Sequence, residues 1–218
     1  MLQTTLLKAG LAAMACLEAV EAARTSPTDI AKFPDFELEM QANGGHTWSS
    51  VPVTTATGYN LTLFRITGNS LGADYVDTKG PVLLLEGMFS NCLDWIRTND
   101  PTETSMGVQL AERGHDVWIA STRGRMGAST HSTLIDLTDP LQETQYWDYS
   151  FENIGKEDIP AYVDAIIAAR AGACNKVTLV PHSTGVNAAL VAATQVEGLN
   201  TKVGAVSGLA PCFKIGLS

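Results

Sequence analysis

The chain has 218 residues and a formal net charge of −9, and 45% of its residues are hydrophobic while 17% are charged. This composition excludes a disordered chain and a coiled coil, and the length suits one domain with a sizeable core. Nucleic acid is not an expected partner, because an acidic surface with scattered Lys and Arg residues repels phosphate backbones.

The first residues have the pattern of a secretory signal peptide. Lys8 precedes a short apolar stretch, and small residues suited to cleavage follow up to Ala22. The pattern predicts a signal peptide at residues 1–22 and one domain at residues 23–218, and the alternative is an amphipathic N-terminal helix. The apolar stretch falls well short of the roughly 20 residues that a membrane-spanning helix needs, so no integral membrane segment is expected.

The four cysteines do not have the spacing of zinc ligands, and no metal or cofactor is predicted. Cys16 would leave with the signal peptide. The remaining Cys92, Cys174 and Cys212 are compatible with one disulfide and a free thiol, or with three buried thiols.

Asn60 in "NLT" is a candidate glycosylation acceptor if the chain is exported and the side chain faces outward, and a chance match is the alternative.

The first half of the domain contains three predicted strands and a helix. "NLTLFRI" follows the turn "TGY" and predicts a strand with alternating inward and outward residues. "PVLLLEG" is a continuous apolar run, as expected of a strand buried on both faces of a parallel sheet. A helix is predicted from Thr104 to Arg113, with Gly114 ending it in a left-handed turn before the strand "DVWIAS".

The second half alternates again between helix and strand. A helix is predicted with Pro160 in its first turn and Asp158 as its cap. The strand "KVTLV", a helix of small residues from Thr184 to Gln195 and the strand "KVGAVSGLA" follow. This alternation predicts βαβ crossovers and a mostly parallel sheet with helices on both faces. In the helix that contains Pro160, the apolar stripe consists of Ile159, Val163, Ile166 and Ile167.

Four segments of the sequence carry a family resemblance. "PVLLLEGMFSNCLDW", "GHDVWIASTRGR", "YWDYSFENIGKEDIPAYVDAI" and "VTLVPHSTG" are similar, in order and spacing, to the acid lipase family of α/β-hydrolases, which includes gastric and lysosomal lipases. The resemblance covers about residues 28–213. It implies an α/β-hydrolase-type, doubly wound sheet that is incomplete at its C-terminus, with the late strands and the lid of the family expected past Ser218.

The resemblance also implies a nucleophile and an oxyanion site. Ser183 in "VPHSTG" stands at the serine of the G-x-S-x-G elbow, and the backbone N–H groups of Met88 and Thr184 stand at the two oxyanion donors. Two departures are evident. Pro181 replaces the first glycine of the elbow, and Glu86 replaces a histidine, where a fixed anion would oppose the developing charge unless it points away.

The general base is missing from the chain. In this fold the order is Ser, then Asp or Glu, then His, but the residues after Ser183 contain no His or Asp and only Glu197. The triad Asp and His are therefore expected outside the chain. The chain alone is expected not to turn over esters by the triad mechanism.

None of the histidines upstream is a convincing substitute. His182 adjoins the serine and is interpreted as a packing residue, and His46, His115 and His131 as surface or loop residues. His115 precedes a strand and so belongs to the amino end of the sheet. His131 is the first alternative if an unexpected base exists, because its loop follows a sheet strand.

Other prominent side chains have structural interpretations. Arg123 is interpreted as a structural hydrogen-bond donor, and Asp136 and Asp139 as loop residues rather than metal ligands. Five aromatic residues fall in segments that, by the same resemblance, the family buries, and they are expected to pack in the core, not to form a lipid-binding surface. They are Trp95, Trp118, Trp147, Phe151 and Tyr162.

Two functional hypotheses follow. The first is an ester hydrolase of the acid lipase type in lipid catabolism, acting on acylglycerols or sterol esters through an acyl-serine, in a secreted or lysosomal/vacuolar location. The second is a non-catalytic remnant or interaction module. Ending after "VGAVSGLAP" leaves an apolar edge strand, which predicts self-association.

Overall fold

The computed structural model describes residues 25–71, 73–98, 100, 102–170 and 176–212. The predicted signal peptide, Cys16 and Cys174 lie outside the described residues.

One mixed sheet organises the described part of the chain. Its strands are ordered β1-β2-β4-β3-β6-β7, and β5 pairs with β2. Strands β4, β3, β6 and β7 are parallel to one another, whereas β2 is antiparallel to β1, β4 and β5. The strands are β1 (Thr47–Thr54), β2 (Tyr59–Gly68), β3 (Pro81–Leu85), β4 (Asp116–Ala120), β5 (Thr130–His131), β6 (Val177–Pro181) and β7 (Val203–Val206).

Helices cover both faces of this sheet. They are α1 (Pro27–Lys32), α2 (Pro34–Ala42), α3 (Met106–Glu112), α4 (Pro140–Trp147), α5 (Phe151–Asn153), α6 (Ile159–Ala169), α7 (Thr184–Gln195) and α8 (Leu199–Lys202). A 3₁₀ turn at Cys92–Trp95 follows β3, and a π-helical turn at Ile154–Asp158 joins α5 to α6. Gly114 ends the turn after α3 with a φ of 86°, as predicted.

The two faces have separate hydrophobic cores. Leu83 packs in the core that contains residues of α6 and α7, and its neighbour Leu84 packs in the core that contains residues of α2 and α3. Successive side chains of a strand point to opposite faces, so a strand covered on both sides must be apolar throughout. This is why β3 and β4 are buried at every position and why their sequences, apart from Asp116 at the start of β4, are continuous apolar runs. The predicted α/β architecture, with a mostly parallel sheet, is confirmed.

Three local predictions differ from the structure. The alternation expected in "NLTLFRI" is wrong, because β2 lies between other strands and contributes Leu63 to one core and Phe64 to the other. Asp158 is not a side-chain cap, since it already has helical dihedral angles at the end of the π-helical turn and its carboxylate accepts hydrogen bonds from Arg123. The last predicted strand is shorter than "KVGAVSGLA", because pairing continues after β7 only as a bridge between Leu209 and His182.

Candidate active site

Ser183 lies in the tight turn between β6 and α7. Its φ of 51° and ψ of −120° lie in a region that non-glycine residues rarely adopt. The Ser183 N–H donates to the Leu209 carbonyl at 2.9 Å, and the His182 N–H donates to the Leu85 carbonyl at 2.9 Å. Residues in such conformations cost of order 1–3 kcal/mol and persist where surrounding contacts hold them. The prediction that Ser183 lies at a strand-to-helix junction is confirmed.

Pro181 fits this turn because of where it lies in the strand. It is the last residue of β6, opposite Leu85 of β3, and its carbonyl accepts the Leu209 N–H at 2.8 Å. Strand β7 ends at Val206, so regular pairing on that side of the sheet is already finished. Proline is tolerated where a ladder ends.

Two glycines allow the loop after β3 to approach the serine. A Cβ atom on Gly87 would lie 2.7 Å from the Cβ of Ser183 and 3.2 Å from the Nδ1 atom of His182. A Cβ atom on Gly185, in the first turn of α7, would overlap the backbone carbonyl of Glu86. Both positions therefore require glycine, and together they bring the loop after β3 against the N-terminus of α7.

The two expected oxyanion donors border one cavity of about 240 Å³. Thr184 is the first residue of α7, a helix of 12 residues, and Met88 follows Gly87 on the loop after β3. The first N–H groups of a helix have no partner within the helix, and the helix dipole favours negative charge there. The structure thus brings both residues to one place next to Ser183, where donors to an oxyanion are needed.

Glu86 is a buried carboxyl group at the same place. Only 2% of the residue is exposed, and its Oε1 atom accepts hydrogen bonds from the Thr122 N–H at 2.7 Å and the Thr122 hydroxyl at 2.8 Å. Its Oε2 atom is also buried, and no residue that the structure describes donates to it. Burial raises the pKa of Glu86 to about 7, against the hydrogen bonds from Thr122, which lower it. The group is therefore not a fixed anion at neutral pH.

His182 and His131 differ from their interpretations. The His182 side chain is exposed, so the prediction of a packing residue is wrong. His131 is 9% exposed and lies in β5, so it is neither a surface nor a loop residue. Its Nε2 atom lies 2.8 Å from the Thr57 carbonyl, and its Nδ1 atom accepts the Leu134 N–H at 3.1 Å. Both ring nitrogens are hydrogen-bonded to backbone groups, which leaves neither free to act as a base.

The other two histidines lie away from the serine turn. His46 directly precedes β1 and is 6% exposed, with its Nδ1 atom 2.8 Å from the hydroxyl oxygen of Tyr75. It is a loop residue, as predicted, but not a surface one. His115 directly precedes β4, at the amino end of the parallel strands, as predicted. Ser183 follows β6 at the opposite end.

The core-packing prediction is right for three aromatic residues and wrong for two. Trp95, Trp118 and Tyr162 are 7%, 1% and 0% exposed. Trp147 and Phe151 are 51% and 47% exposed, because α4 and α5 lie on the outside of the fold. Tyr146 is the only buried residue of α4. Phe151 borders the cavity next to Met88.

Arg123 is a structural residue, as predicted. Its Nε atom donates to an Asp158 carboxylate oxygen at 2.9 Å, and its backbone N–H donates to the other oxygen at 3.0 Å. An NH2 nitrogen of the same guanidinium bonds Glu157 at 2.7 Å, and the group lies 3.9 Å from the ring centroid of Tyr59. Arg123 and Asp158 are 2% and 0% exposed, so this network ties the loop after β4 to the π-helical turn before α6 in the interior.

Asp136 and Asp139 are loop residues, as interpreted. Asp136 accepts the Thr138 N–H at 3.0 Å and its hydroxyl at 2.6 Å, and Asp139 caps α4 through the Leu141 N–H at 2.9 Å. The side-chain hydrogen bond from Thr138 lowers the pKa of Asp136. Across the described residues no group of three His, Cys, Asp or Glu side chains is arranged to hold a metal.

Cys92 and Cys212 are both free, so neither is in a disulfide. Every possible pair among Cys92, Cys174 and Cys212 would include one of them, which removes the alternative of a disulfide within this set. Cys92 is buried, and burial raises the pKa of its thiol to about 12.

Asn60 lies on β2 between β1 and β5, and its side-chain oxygen accepts a hydrogen bond from the Thr54 hydroxyl at 3.1 Å. Glycosylation at Asn60 stays a prediction.

Comparison with known proteins identifies what the chain resembles. No family model matches the sequence. It is 29% identical over 185 residues to gastric triacylglycerol lipase of Bos taurus, covering 84% of this chain and 44% of that protein. It is 28% identical over 163 residues to lysosomal acid lipase/cholesteryl ester hydrolase of Macaca fascicularis, covering 75% and 39%. The resemblance to the acid lipases is confirmed. The chain spans less than half the length of these relatives.

Two further comparisons extend the list of similar proteins. Lipase 1 of Drosophila melanogaster is 31% identical over 159 residues, covering 73% of this chain and 32% of that protein. Among solved structures, the match to an esterase of Pyrococcus furiosus covers 77% of this chain and 50% of the esterase chain, with a TM-score of 0.49 and 17% identity.

Within the described ranges, no helix is both long enough and apolar enough to cross a membrane.

Proposed function

We propose that this chain carries the nucleophile of a serine ester hydrolase of the acid lipase type. One observation carries the proposal: Ser183 has a positive φ between β6 and α7 and lies against Gly87, beside a cavity that Met88 and Thr184 share. A strained strand-to-helix turn exposes a serine hydroxyl at the carboxyl end of an α/β sheet, which is where this chemistry takes place.

The proposed reaction proceeds through an acyl-serine. The Ser183 Oγ atom attacks the ester carbonyl, and the N–H groups of Met88 and Thr184 stabilise the oxyanion that forms on the carbonyl oxygen. The base takes the proton of the Ser183 hydroxyl during the attack; when the tetrahedral intermediate collapses, the ester C–O bond breaks and the alcohol leaves with that proton. Water then attacks the acyl-serine, which releases the acid and restores the hydroxyl of Ser183.

The base is expected to come from outside the 218 residues. The hydroxyl needs a histidine oriented by a carboxylate, and the residues after Ser183 include no histidine. His131 uses both ring nitrogens to hold backbone, which removes it as the first substitute. The expectation that this chain alone does not turn over esters therefore gains support.

The substrate class and the location are proposed from the relatives. The names of the mammalian relatives describe a triacylglycerol lipase of the stomach and a cholesteryl ester hydrolase of the lysosome. We propose acylglycerols or sterol esters as substrates in lipid catabolism. We also propose entry into the secretory pathway through residues 1–22, with a secreted or lysosomal/vacuolar destination.

The second candidate function is a non-catalytic interaction module. The observation in its favour is the edge of the sheet: among the described residues β7 pairs only with β6, and Gly204 and Ala205 are exposed. An unpaired edge can bind a strand of another chain. Sedimentation that shows a well-behaved monomer would count against self-association through this edge.

Two expressed proteins decide between these functions. Residues 23–218 and the full open reading frame that contains them are each assayed on a short-chain activated ester and a triacylglycerol. We expect activity from the longer protein only, with loss in Ser183→Ala and no change in Ser129→Ala, a control at an exposed serine. A serine-directed phosphonate that labels Ser183 in residues 23–218 would overturn the inactivity of this chain. A longer protein without activity would favour the interaction module.

A further inference from the structure

Arg125 forms no ion pair with a carboxylate among the residues that the structure describes. It is half-buried and borders the cavity that Met88 and Thr184 share. In the part of the chain that the structure describes, its guanidinium forms no ion pair, unlike that of Arg123 two residues earlier. A cation of this kind in a cleft is a binding group for an anion.

The charge of Arg125 acts on groups of the cavity wall. Burial raises the pKa of Tyr149, and the Arg125 charge is the largest effect that opposes this rise. Burial also raises the pKa of Glu86, where Arg125 again acts in the opposite direction. Glu86 and Tyr149 both border the cavity, so the guanidinium carries its charge into this space.

Two residues that border the cavity each have a buried side-chain oxygen that lacks a hydrogen bond among the described residues. The Oε2 atom of Glu86 and the Oδ1 atom of Asn187 have no partner among the described residues. The Asn187 amide is fixed, because its Nδ2 atom donates to the Cys212 carbonyl at 2.8 Å. Unsatisfied buried polar atoms are costly, and a ligand or ordered water at the site would satisfy them.

The rest of the wall is largely apolar. Phe151, Ile154 and Ala188 line the side formed by α5, the π-helical turn and α7. At about 240 Å³ the cavity is small, which favours a short ligand. One unpaired cation and one apolar wall together match a short amphiphile with an anionic end.

We propose that this cavity binds the carboxylate or phosphate group of a short amphiphilic anion, with Arg125 as its charge partner and protonated Glu86 as a hydrogen-bond donor. The Oδ1 atom of Asn187 accepts from a hydroxyl group or a water molecule that accompanies the anion. Binding requires no chemistry at Ser183, but the cavity is the one that Met88 and Thr184 share, so the bound anion would lie beside the proposed oxyanion donors.

The protonation of Glu86 makes the site sensitive to pH. Neutral Glu86 donates a hydrogen bond to the anion, whereas ionised Glu86 repels it. Burial keeps the Cys92 thiol and the Tyr162 hydroxyl protonated, with the pKa of Tyr162 well above its ordinary value, so neither changes charge near neutral pH. The titratable and charged groups that face Glu86 are Arg125, Asp94, His182, Cys92 and Tyr162.

The test measures binding of hexanoate, hexyl phosphate and hexanol to the full chain by titration calorimetry at pH 6. We expect a hexanoate or hexyl phosphate complex that Arg125→Gln weakens by about 10- to 100-fold, because a charged hydrogen-bonded pair is lost. Arg113→Gln, a control at an exposed arginine, leaves the affinity unchanged, and Arg125→Lys retains part of it. Circular dichroism verifies that each variant is folded.

The variants at Glu86 and Ser183 complete the test. Hexanoate stays ionised between pH 6 and 8.5, so its affinity falls over this range in the wild type and becomes independent of pH in Glu86→Gln. Ser183→Ala binds as the wild type does, even if the hydrolase proposal fails. Equal binding of hexanol, an unchanged affinity in Arg125→Gln, or no binding of either anion would overturn the anion site.

Discussion

Arg123 and Arg125 lie two residues apart on the loop after β4, but their surroundings are opposite. Arg123 is 2% exposed and bonded to two carboxylates, whereas Arg125 is half-buried and has no ion pair among the described residues. Gly124 between them has a φ of 80°, a left-handed turn that glycine adopts without strain. A fully paired buried charge serves the fold, and an unpaired charge at a cavity is available to a ligand.

Removing Arg123 has the largest expected effect on this contrast. In Arg123→Ala the Asp158 carboxylate, 0% exposed, loses its cation. Breaking one side of a buried pair costs about 3–5 kcal/mol, and we expect the free energy of unfolding to fall by that amount. Denaturant unfolding checks it, with Arg113→Ala as the exposed control. A loss below about 1 kcal/mol would contradict a structural role for Arg123.

Glu86→Gln sharpens the comparison between a carboxylate that has a bonded cation and one that does not. The pKa of Glu86 in the folded chain is about 7 against an ordinary 4.5, so its contribution to stability is complete below pH 4.5 and is lost as the pH rises to 7. The loss amounts to about 3 kcal/mol. Glu86→Gln should therefore be more stable than the wild type at pH 8 and similar to it at pH 4.5.

Unfolding curves at those two pH values test this prediction. Thr122 can still donate to the amide oxygen of the glutamine, so the fold keeps both of its hydrogen bonds. Equal stability of the two proteins at pH 8 would show that Glu86 is not desolvated. The mirror-image variant Asp158→Asn is the comparison, since it removes the buried carboxylate of Arg123 and leaves only Glu157 bonded to it, which should destabilise the chain.

Gly124→Ala tests the turn that separates the two arginines. A Cβ atom there would lie 2.6 Å from a ring carbon of Trp147, in a residue with a positive φ. We expect a loss of about 1–3 kcal/mol, measured by thermal unfolding. Gly198→Ala is a matched control, because Gly198 also has a positive φ but its Cβ atom would meet nothing within 4 Å. Equal losses in the two variants would mean that backbone strain alone matters.

Arg125→Gln has the smallest expected effect on stability. Since the guanidinium forms no ion pair within the described residues, its removal should change the free energy of unfolding by less than about 0.5 kcal/mol. The same unfolding measurement as for Arg123→Ala checks this. A large loss would break the comparison, because Arg125 would then be a structural residue like Arg123.

The main strands and the serine turn were predictable from the sequence for physical reasons. A strand covered on both faces must be largely apolar, and "PVLLL" and the "VWIA" of β4 show this directly. Ser183 could be placed because the elbow motif combines a strand, a small turn and a helix in consecutive residues. Such local patterns need no knowledge of distant contacts.

The environment of the site could not be read in the same way. Glu86 is shielded by Thr122, which comes from the end of another strand, so neither its burial nor its raised pKa has a local signal. Trp147 and Phe151 were assigned to the core as aromatic residues, although their helices lie on the outside. The His131 ring is hydrogen-bonded to backbone groups of Thr57 and Leu134, and its position in the sequence does not reveal these contacts.

The hydrogen bonds at Leu209 have a consequence for synthesis of the chain. Leu209 donates to the Pro181 carbonyl and accepts from the Ser183 N–H, so a residue that follows β7 holds both sides of the serine turn. A ribosome extends chains from the N-terminus at about 5–20 residues per second. While α7 and β7 are still being translated, the turn lacks these bonds. The strained serine therefore becomes locked only when Leu209 has left the exit tunnel.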